Sequence, residues 1–82
     1  MNRVKLLFFA TLRDRAGMRS MELDIPSDLT VHGLKEKLSE EYPSLKESMS
    51  SVLITINREY AFDEAVIPQN AELAMFPPVS GG

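Results

Sequence analysis

The sequence predicts an α+β fold in which one main helix packs across a mixed sheet of four or five strands. The first observation is the order of the apolar patterns, which gives two strands, one amphipathic helix and then two or three short strands. The second is that the first and last strands are strongly apolar, as expected for strands inside a covered sheet. The alternative, a ferredoxin-like fold, needs a second full helix. Residues 44–51 are too short and polar to supply it.

The N-terminal segment predicts a β-hairpin. Residues 3–11 form a strand that is apolar on both faces, and Phe9 lies on the second face with Leu7. Residues 20–25 alternate between apolar and polar side chains, which is typical of a half-buried strand. The residues between these strands are predicted to be a polar connection in which Gly17 is available for a positive φ. The face of the first strand directed at the core contains Val4, Leu6, Phe8 and Ala10.

The helix is predicted to begin after Thr30, a favourable N-cap residue, and to end at Tyr42, which precedes a proline. Its apolar stripe consists of Val31, Leu34 and Leu38, spaced at i, i+3 and i+7. Gly33 interrupts the first turn, where glycine costs about 1 kcal/mol relative to alanine.

The C-terminal half predicts short elements separated by turns. Residues 44–51 are expected to form one or two helical turns. A β-branched strand over 52–56 and a short strand over 60–62 are joined by a tight turn. Residues 63–71 are predicted to be irregular, and residues 73–76 form the last strand before two prolines.

Composition excludes several classes of function. The chain has no Cys and one His, so thiolate metal sites, disulfides and cysteine nucleophiles are excluded and no metal site is predicted. Nine Lys and Arg against twelve Asp and Glu give a net charge of −3, which disfavours nucleic-acid binding. The longest apolar run, residues 6–10, is far shorter than the about 20 residues of a membrane helix. A cytoplasmic protein without a tightly bound cofactor is expected.

The C-terminal residues carry the clearest functional signal. We predict a domain over residues 1–76 and an extended tail over residues 77–82. Two prolines give the tail a stiff beginning, and six residues span about 20 Å when extended. Two terminal glycines have no Cβ atoms and fit a narrow channel. The hypothesis is that the functional group is the Gly82 α-carboxylate, and the alternative is a frayed end without a role.

The sequence resembles the small subunit of molybdopterin synthase, a sulfur carrier of the ubiquitin-like β-grasp family. Three segments carry the resemblance: residues 4–13, residues 30–38, and residues 56–60 together with the ending Ala74-Met75-Phe76-Pro77-Pro78-Val79-Ser80-Gly81-Gly82. The last is the most specific, and the resemblance covers nearly the whole chain. Two departures are a missing Gly-Asp turn before the last strand and the position of Gly33.

The resemblance implies that the Gly82 carboxylate is adenylated with ATP by a ubiquitin-activating-type adenylyltransferase and converted to a thiocarboxylate. A sulfurtransferase would be the sulfur source. The tail would then enter the large synthase subunit, in a heterotetramer, and donate sulfur to cyclic pyranopterin monophosphate. The pterin-site catalytic residues would belong to that subunit, so this chain would not be an enzyme by itself. The residues implied to insert are Pro77, Pro78, Val79, Ser80 and Gly81.

Strand parity predicts a partner-binding patch. Phe9 and Phe76 fall on the sheet face opposite the helix, and Tyr60 is expected beside them. The alternative is that these aromatic residues cover a second small core under residues 63–71. Arg13, just past the first strand, is a candidate partner for an acidic residue of the large subunit, and a solvated charge is the alternative.

Three other functions remain open from the sequence. The first is a sulfur carrier for thiamine synthesis, tRNA thiolation or cysteine synthesis, and the second is a ubiquitin-like protein modifier. The third is an interaction module with an idle tail.

Overall fold

The computed structural model describes residues 1–78. The elements in chain order are β1 (Asn2–Phe8), α1 (Thr11–Ala16), β2 (Ser20–Ile25), α2 (Val31–Glu41), a 3₁₀ helix (Pro43–Ser50), β3 (Leu53–Ile56), β4 (Glu59–Tyr60) and β5 (Glu72–Phe76). The strands form one mixed sheet in the order β2-β1-β5-β3-β4. Strands β1 and β5 are parallel and the other neighbours antiparallel. The predicted fold class, a mixed sheet of four or five strands with one main helix packed across it, is confirmed, and the sheet has five strands.

The core lies between α2 and one face of the sheet. The predicted stripe of Val31, Leu34 and Leu38 is completely buried. The alternate residues of β1 that were predicted to meet it, Leu6 and Phe8, are buried with it. Burying one such side chain contributes roughly 1.5–3 kcal/mol. The same side of the other strands completes the core with Leu23, Ile25, Ile54, Leu73 and Met75.

The connection between β1 and β2 differs from the sequence prediction. Residues 12–19 were expected to be a polar loop, but Thr11–Ala16 form α1 and Leu12 is only 1% exposed. Six residues are too few for helical periodicity to appear in the sequence, and the helix is stabilised by the burial of Leu12. Gly17 ends it at φ 74°, and its N–H donates to the Arg13 carbonyl at 3.0 Å. The predicted use of Gly17 is therefore correct.

Strand β1 ends three residues before its predicted boundary. Ala10, predicted to face the core, is exposed and has φ 52° and ψ −129°, which breaks the strand. A positive φ is unfavourable for alanine, so the tertiary structure imposes this bend. Because of the bend, Phe9 is the last residue that continues the sheet, and its N–H donates to the Met75 carbonyl at 3.2 Å.

Helix α2 has the predicted bounds. The Thr30 hydroxyl accepts from the Gly33 N–H at 3.1 Å, which is the predicted N-cap. Packing explains why a glycine occupies position 33, and the sequence pattern does not reveal this reason. A Cβ atom at this position would lie 2.5 Å from Cδ1 of Leu29, so the missing side chain makes room for Leu29.

The irregular segment between β4 and β5 is held at both ends. Near α2, the N–H groups of Val31 and His32 donate to the carbonyls of Ala65 and Asp63. At the other end, the completely buried Asn2 donates from Nδ2 to the Pro68 carbonyl at 2.8 Å and accepts from another backbone N–H of this segment. The segment packs against α2 and the β1 end, so it is irregular but ordered by hydrogen bonds.

No helix within residues 1–78 is long and apolar enough to cross a membrane.

Candidate docking surface beside the C-terminal tail

The sheet face opposite α2 contains an open groove with a volume of about 420 Å³. It combines apolar side chains from β1 and β5 with polar ones from the β3–β4 hairpin and the beginning of β5. We call it the sheet groove, and its lining residues are Leu7, Phe9, Thr55, Arg58, Tyr60, Glu72, Ala74 and Phe76. Because side chains alternate along a strand, this face is formed by the residues that the core does not use.

Phe9 and Phe76 meet at one end of the sheet groove. Their ring centroids are 4.7 Å apart and their planes are inclined by only 10°. The parallel pairing of β1 with β5 brings the two carboxyl ends together. Phe9 remains 41% exposed, so the pair presents an aromatic surface to solvent. Such an arrangement suits docking, because aromatic residues are enriched at protein interfaces.

Tyr60 lines the same groove as Phe9 and Phe76, as expected from the sequence. It is paired with Thr55 across the β3–β4 hairpin and is 77% exposed. The alternative, in which the aromatic residues cover a second small core under residues 63–71, is wrong. That segment contributes no lining residue to the groove, and Ile67 from it is buried in the main core. Whether Phe9, Tyr60 and Phe76 bind a partner stays a prediction.

Arg13 lies away from the sheet groove. It is exposed on α1, rather than in a loop directly after β1, and it does not line the groove. No carboxylate of residues 1–78 forms an ion pair with it. The structure therefore does not bring Arg13 together with the three aromatic residues, and its role in partner binding stays a prediction.

Sequence reasoning missed two charged groove residues, Arg58 and Glu72. The sequence at Asn57 and Arg58 predicts only a turn, because it does not show which face of the sheet these side chains approach. The predicted last strand begins at Leu73, whereas β5 begins at Glu72. Strand parity would have identified Ala74, which shares a face with Phe76.

The tail follows the aromatic end of the groove directly. Strand β5 ends at Phe76, next to Pro77 and Pro78. The other predicted tail residues, Val79, Ser80, Gly81 and the proposed functional Gly82, lie outside the described residues.

A separate charged cluster joins α2 to the segment after β4. The Lys35 Nζ atom donates to Asp63 Oδ1 at 2.7 Å, and this hydrogen bond is the main reason that the pKa of Asp63 is below its ordinary value of 3.8. Burial opposes this shift, whereas the charges of Lys35 and His32 add to it. Nε2 of the exposed His32 lies 2.6 Å from Glu36 Oε1. Within residues 1–78, no group of three or more His, Cys, Asp or Glu residues has an arrangement that fits a metal ion.

Comparisons with known proteins agree with the fold. The chain is 38% identical over 79 residues to the molybdopterin synthase sulfur carrier subunit of Arabidopsis thaliana, covering 96% of this chain and 82% of that protein. It is similar to the crystal structure of SAMP1, a small archaeal modifier protein, from Haloferax volcanii, with 31% identity and a TM-score of 0.82 over 99% of this chain and 100% of the other.

A third comparison shows the fold alone. It is with the complex of subunits 1 and 2 of the molybdopterin-converting factor from Helicobacter pylori, with 21% identity, a TM-score of 0.71 and coverage of 98% and 99%. The family comparison reaches further, because the ThiS family model matches residues 6–82, which include the end of β1, all of α2, the sheet groove and the tail. The chain therefore belongs to the ThiS family.

Proposed function

We propose that this chain is the sulfur carrier subunit of molybdopterin synthase, with the Gly82 carboxylate as the group that carries sulfur. The observation that supports it most directly is the aromatic end of the sheet groove, where Phe9 stacks on Phe76 immediately before the Pro77–Pro78 base of the tail. A partner seated on this groove meets the beginning of the tail at the same surface. The relatives named molybdopterin synthase sulfur carrier subunit support the same assignment.

The chemistry needs only the main-chain carboxylate. A carboxylate is a poor acyl donor, so ATP first converts it to an acyl-adenylate with release of pyrophosphate. A sulfur nucleophile then displaces AMP. Hydrosulfide gives the thiocarboxylate directly, whereas a persulfide gives an acyl disulfide that a thiol must reduce to release the thiocarboxylate. Transfer of that sulfur to cyclic pyranopterin monophosphate and hydrolysis return Gly82 to the carboxylate. Two sulfur atoms are needed for each molybdopterin dithiolene, so two carriers act for each product.

Four partner and location assignments belong to this proposal. The large synthase subunit binds the sheet groove, accepts the tail and provides the catalytic residues of the pterin site, in a heterotetramer of two small and two large subunits. A ubiquitin-activating-type adenylyltransferase uses ATP on Gly82. A sulfurtransferase supplies the sulfur, and the process takes place in the cytoplasm. The chain itself holds no cofactor tightly and is not an enzyme alone.

Deletion of Gly82 tests the proposal. The truncated chain should lose sulfur transfer in a synthase assay reconstituted with the large subunit and precursor, while its thermal unfolding and its binding to the large subunit stay close to those of the full chain. Intact mass measurement of the full chain from its own cells should show an exchange of one oxygen for sulfur at the C-terminus. Full activity of the truncated chain would refute the proposal.

Conjugation to other proteins is the second candidate function. The similarity to a small archaeal modifier protein favours it, because the two chains match over nearly their full lengths. Both functions start from an adenylated C-terminus and differ in the acceptor, which is sulfur for a carrier and a lysine amine for a modifier. Gly82-dependent conjugates to cellular proteins, without a thiocarboxylate form, would favour the modifier.

A further inference from the structure

The turn between β3 and β4 places an arginine where the backbone favours glycine. Its two residues, Asn57 and Arg58, have φ values of 49° and 73°. A hairpin turn with both φ values positive strongly prefers Asn-Gly, since asparagine tolerates the left-handed region and glycine adopts it without steric cost. Asn57 fits this preference and Arg58 does not. A residue other than glycine in this unfavourable backbone conformation motivates a hypothesis about the function of its side chain.

The turn is fixed against the beginning of β5. The Asn57 N–H donates to the Glu72 carbonyl at 2.8 Å, and the Asn57 side-chain oxygen accepts from the Glu72 N–H at 3.0 Å. Arg58 is therefore held at the end of the sheet groove where β5 begins. The stacked Phe9 and Phe76 lie at the end where β5 finishes, about 13 Å away for four residues of strand. The groove thus has an aromatic end beside the tail and a charged end beneath the hairpin.

No ion pair within residues 1–78 neutralises the two charged side chains at this end of the groove. Arg58 and Glu72 both line the groove, yet neither forms an ion pair within this part of the chain. Arg58 is exposed and Glu72 is half-buried. The guanidinium is thus available to a docked partner. Its planar donors match a carboxylate in a two-point hydrogen bond, which adds geometric specificity to an otherwise apolar contact.

We propose that Arg58 is a specificity-determining residue of the sheet groove and binds a carboxylate of the docked large subunit. This inference rests on the proposed function, since it takes that subunit as the occupant of the groove. The aromatic end supplies contact area next to the tail, and Arg58 sets the register of the partner about 13 Å away. Glu72 also lines the groove, and its carboxylate repels an acidic partner residue.

The experiment measures binding of full-length variants to the large subunit by calorimetry at low and high salt. Arg58→Asn is the informative variant, because asparagine tolerates the positive φ but carries no charge. It should weaken binding about tenfold or more at low salt, with a smaller loss at high salt, and should not lower the melting temperature. Arg58→Lys should give an intermediate loss, because lysine keeps the charge without the planar fork.

Two controls separate the inference from simpler explanations. Glu72→Gln should strengthen binding at low salt, because it removes a carboxylate that repels the acidic partner residue. Arg19→Asn, at an exposed arginine outside the groove, should leave binding within about twofold.

Failure of the wild-type chain to bind the large subunit would refute the proposed function itself. Normal wild-type binding with an unchanged affinity for Arg58→Asn at both salt concentrations would overturn only the role of Arg58. A lowered melting temperature for Arg58→Asn, with unchanged affinity of the folded protein, would show that Arg58 acts in folding and would also overturn the inference.

Discussion

The rings of Phe9 and Phe76 stack with their centroids 4.7 Å apart, although 67 positions separate the two residues in the chain. The contact depends on the parallel pairing of β1 with β5, which brings the end of the first strand beside the end of the last. It places a solvent-facing aromatic pair directly before Pro77, where the tail begins. In the proposed function, a partner that recognises this pair also receives the tail.

Replacement of Phe9 or Phe76 by Asp should weaken binding to the large subunit by roughly thirtyfold or more, as expected for an aromatic interface anchor. The reason is that each substitution places a charge in the apolar end of the sheet groove. Phe62→Asp is the matched control, because Phe62 is 84% exposed and does not line the groove. Affinity is measured by calorimetry and folding by thermal unfolding. Equal weakening by Phe62→Asp, or unfolding of both groove variants, would contradict this interpretation.

Asn2→Ala should lower the free energy of unfolding by about 2 kcal/mol, because it removes two hydrogen bonds made by a buried side chain, each of which contributes about 1 kcal/mol. The Asn2 side chain is completely buried, donates to the Pro68 carbonyl at 2.8 Å and accepts from the Asn70 N–H at 2.8 Å. For a domain of this size the melting temperature should fall by roughly 10 °C or more.

Asn70→Gly is the control for this prediction. It keeps the backbone N–H that Asn2 accepts, and glycine tolerates the φ of 57° at this position. Its melting temperature should stay within a few degrees of that of the wild type. A similar loss in both variants would show that the backbone of this loop, rather than the Asn2 side chain, provides the stability.

Asp63→Asn should reduce stability at neutral pH and have no effect in strong acid. The hydrogen bond from Lys35 lowers the pKa of Asp63 in the folded chain below its ordinary value of 3.8. The carboxylate is therefore stabilising above the unfolded-state pKa, and this contribution is lost as the pH falls through the lower folded-state pKa. The difference at neutral pH should be at most about 1 kcal/mol, since Asp63 is 45% exposed and solvent screens the pair.

Urea unfolding from pH 2 to pH 7 measures this effect, with Glu64→Gln as the exposed control. The free energies of unfolding of Asp63→Asn and Glu64→Gln should differ most at neutral pH. They should converge as the pH falls below 3.8 and through the lower folded-state pKa of Asp63. A wild-type advantage over Asp63→Asn that persists unchanged at pH 2 would contradict the role of the ion pair.

Much of the fold follows from local patterns. The i, i+3, i+7 spacing of Val31, Leu34 and Leu38 predicts the buried face of α2, and all three are completely buried. Strand alternation predicts that Leu73 and Met75 face the core, so that Phe76 lies on the other face. These predictions succeed because helical and strand periodicities depend on neighbouring residues in the chain.

Other features required long-range contacts. Helix α1 is too short for a periodic signal, and its formation depends on the burial of Leu12 in a core built by distant residues. Arg58 reaches the sheet groove because the hairpin turn is hydrogen-bonded to Glu72, which follows it by 14 positions. Neither contact has a signature in the local sequence.

By itself, the sequence determined which side chains of β1, α2 and β5 face the core, the lack of cysteine chemistry and the glycine ending of the chain. Only the tertiary structure decided that β1 lies parallel to β5, and therefore that Phe9 meets Phe76 at one end of the groove while Arg58 and Glu72 lie at the other. The physical reason is that side-chain direction is set within a strand, whereas the neighbours of a strand are set by the packing of the whole sheet against its helix.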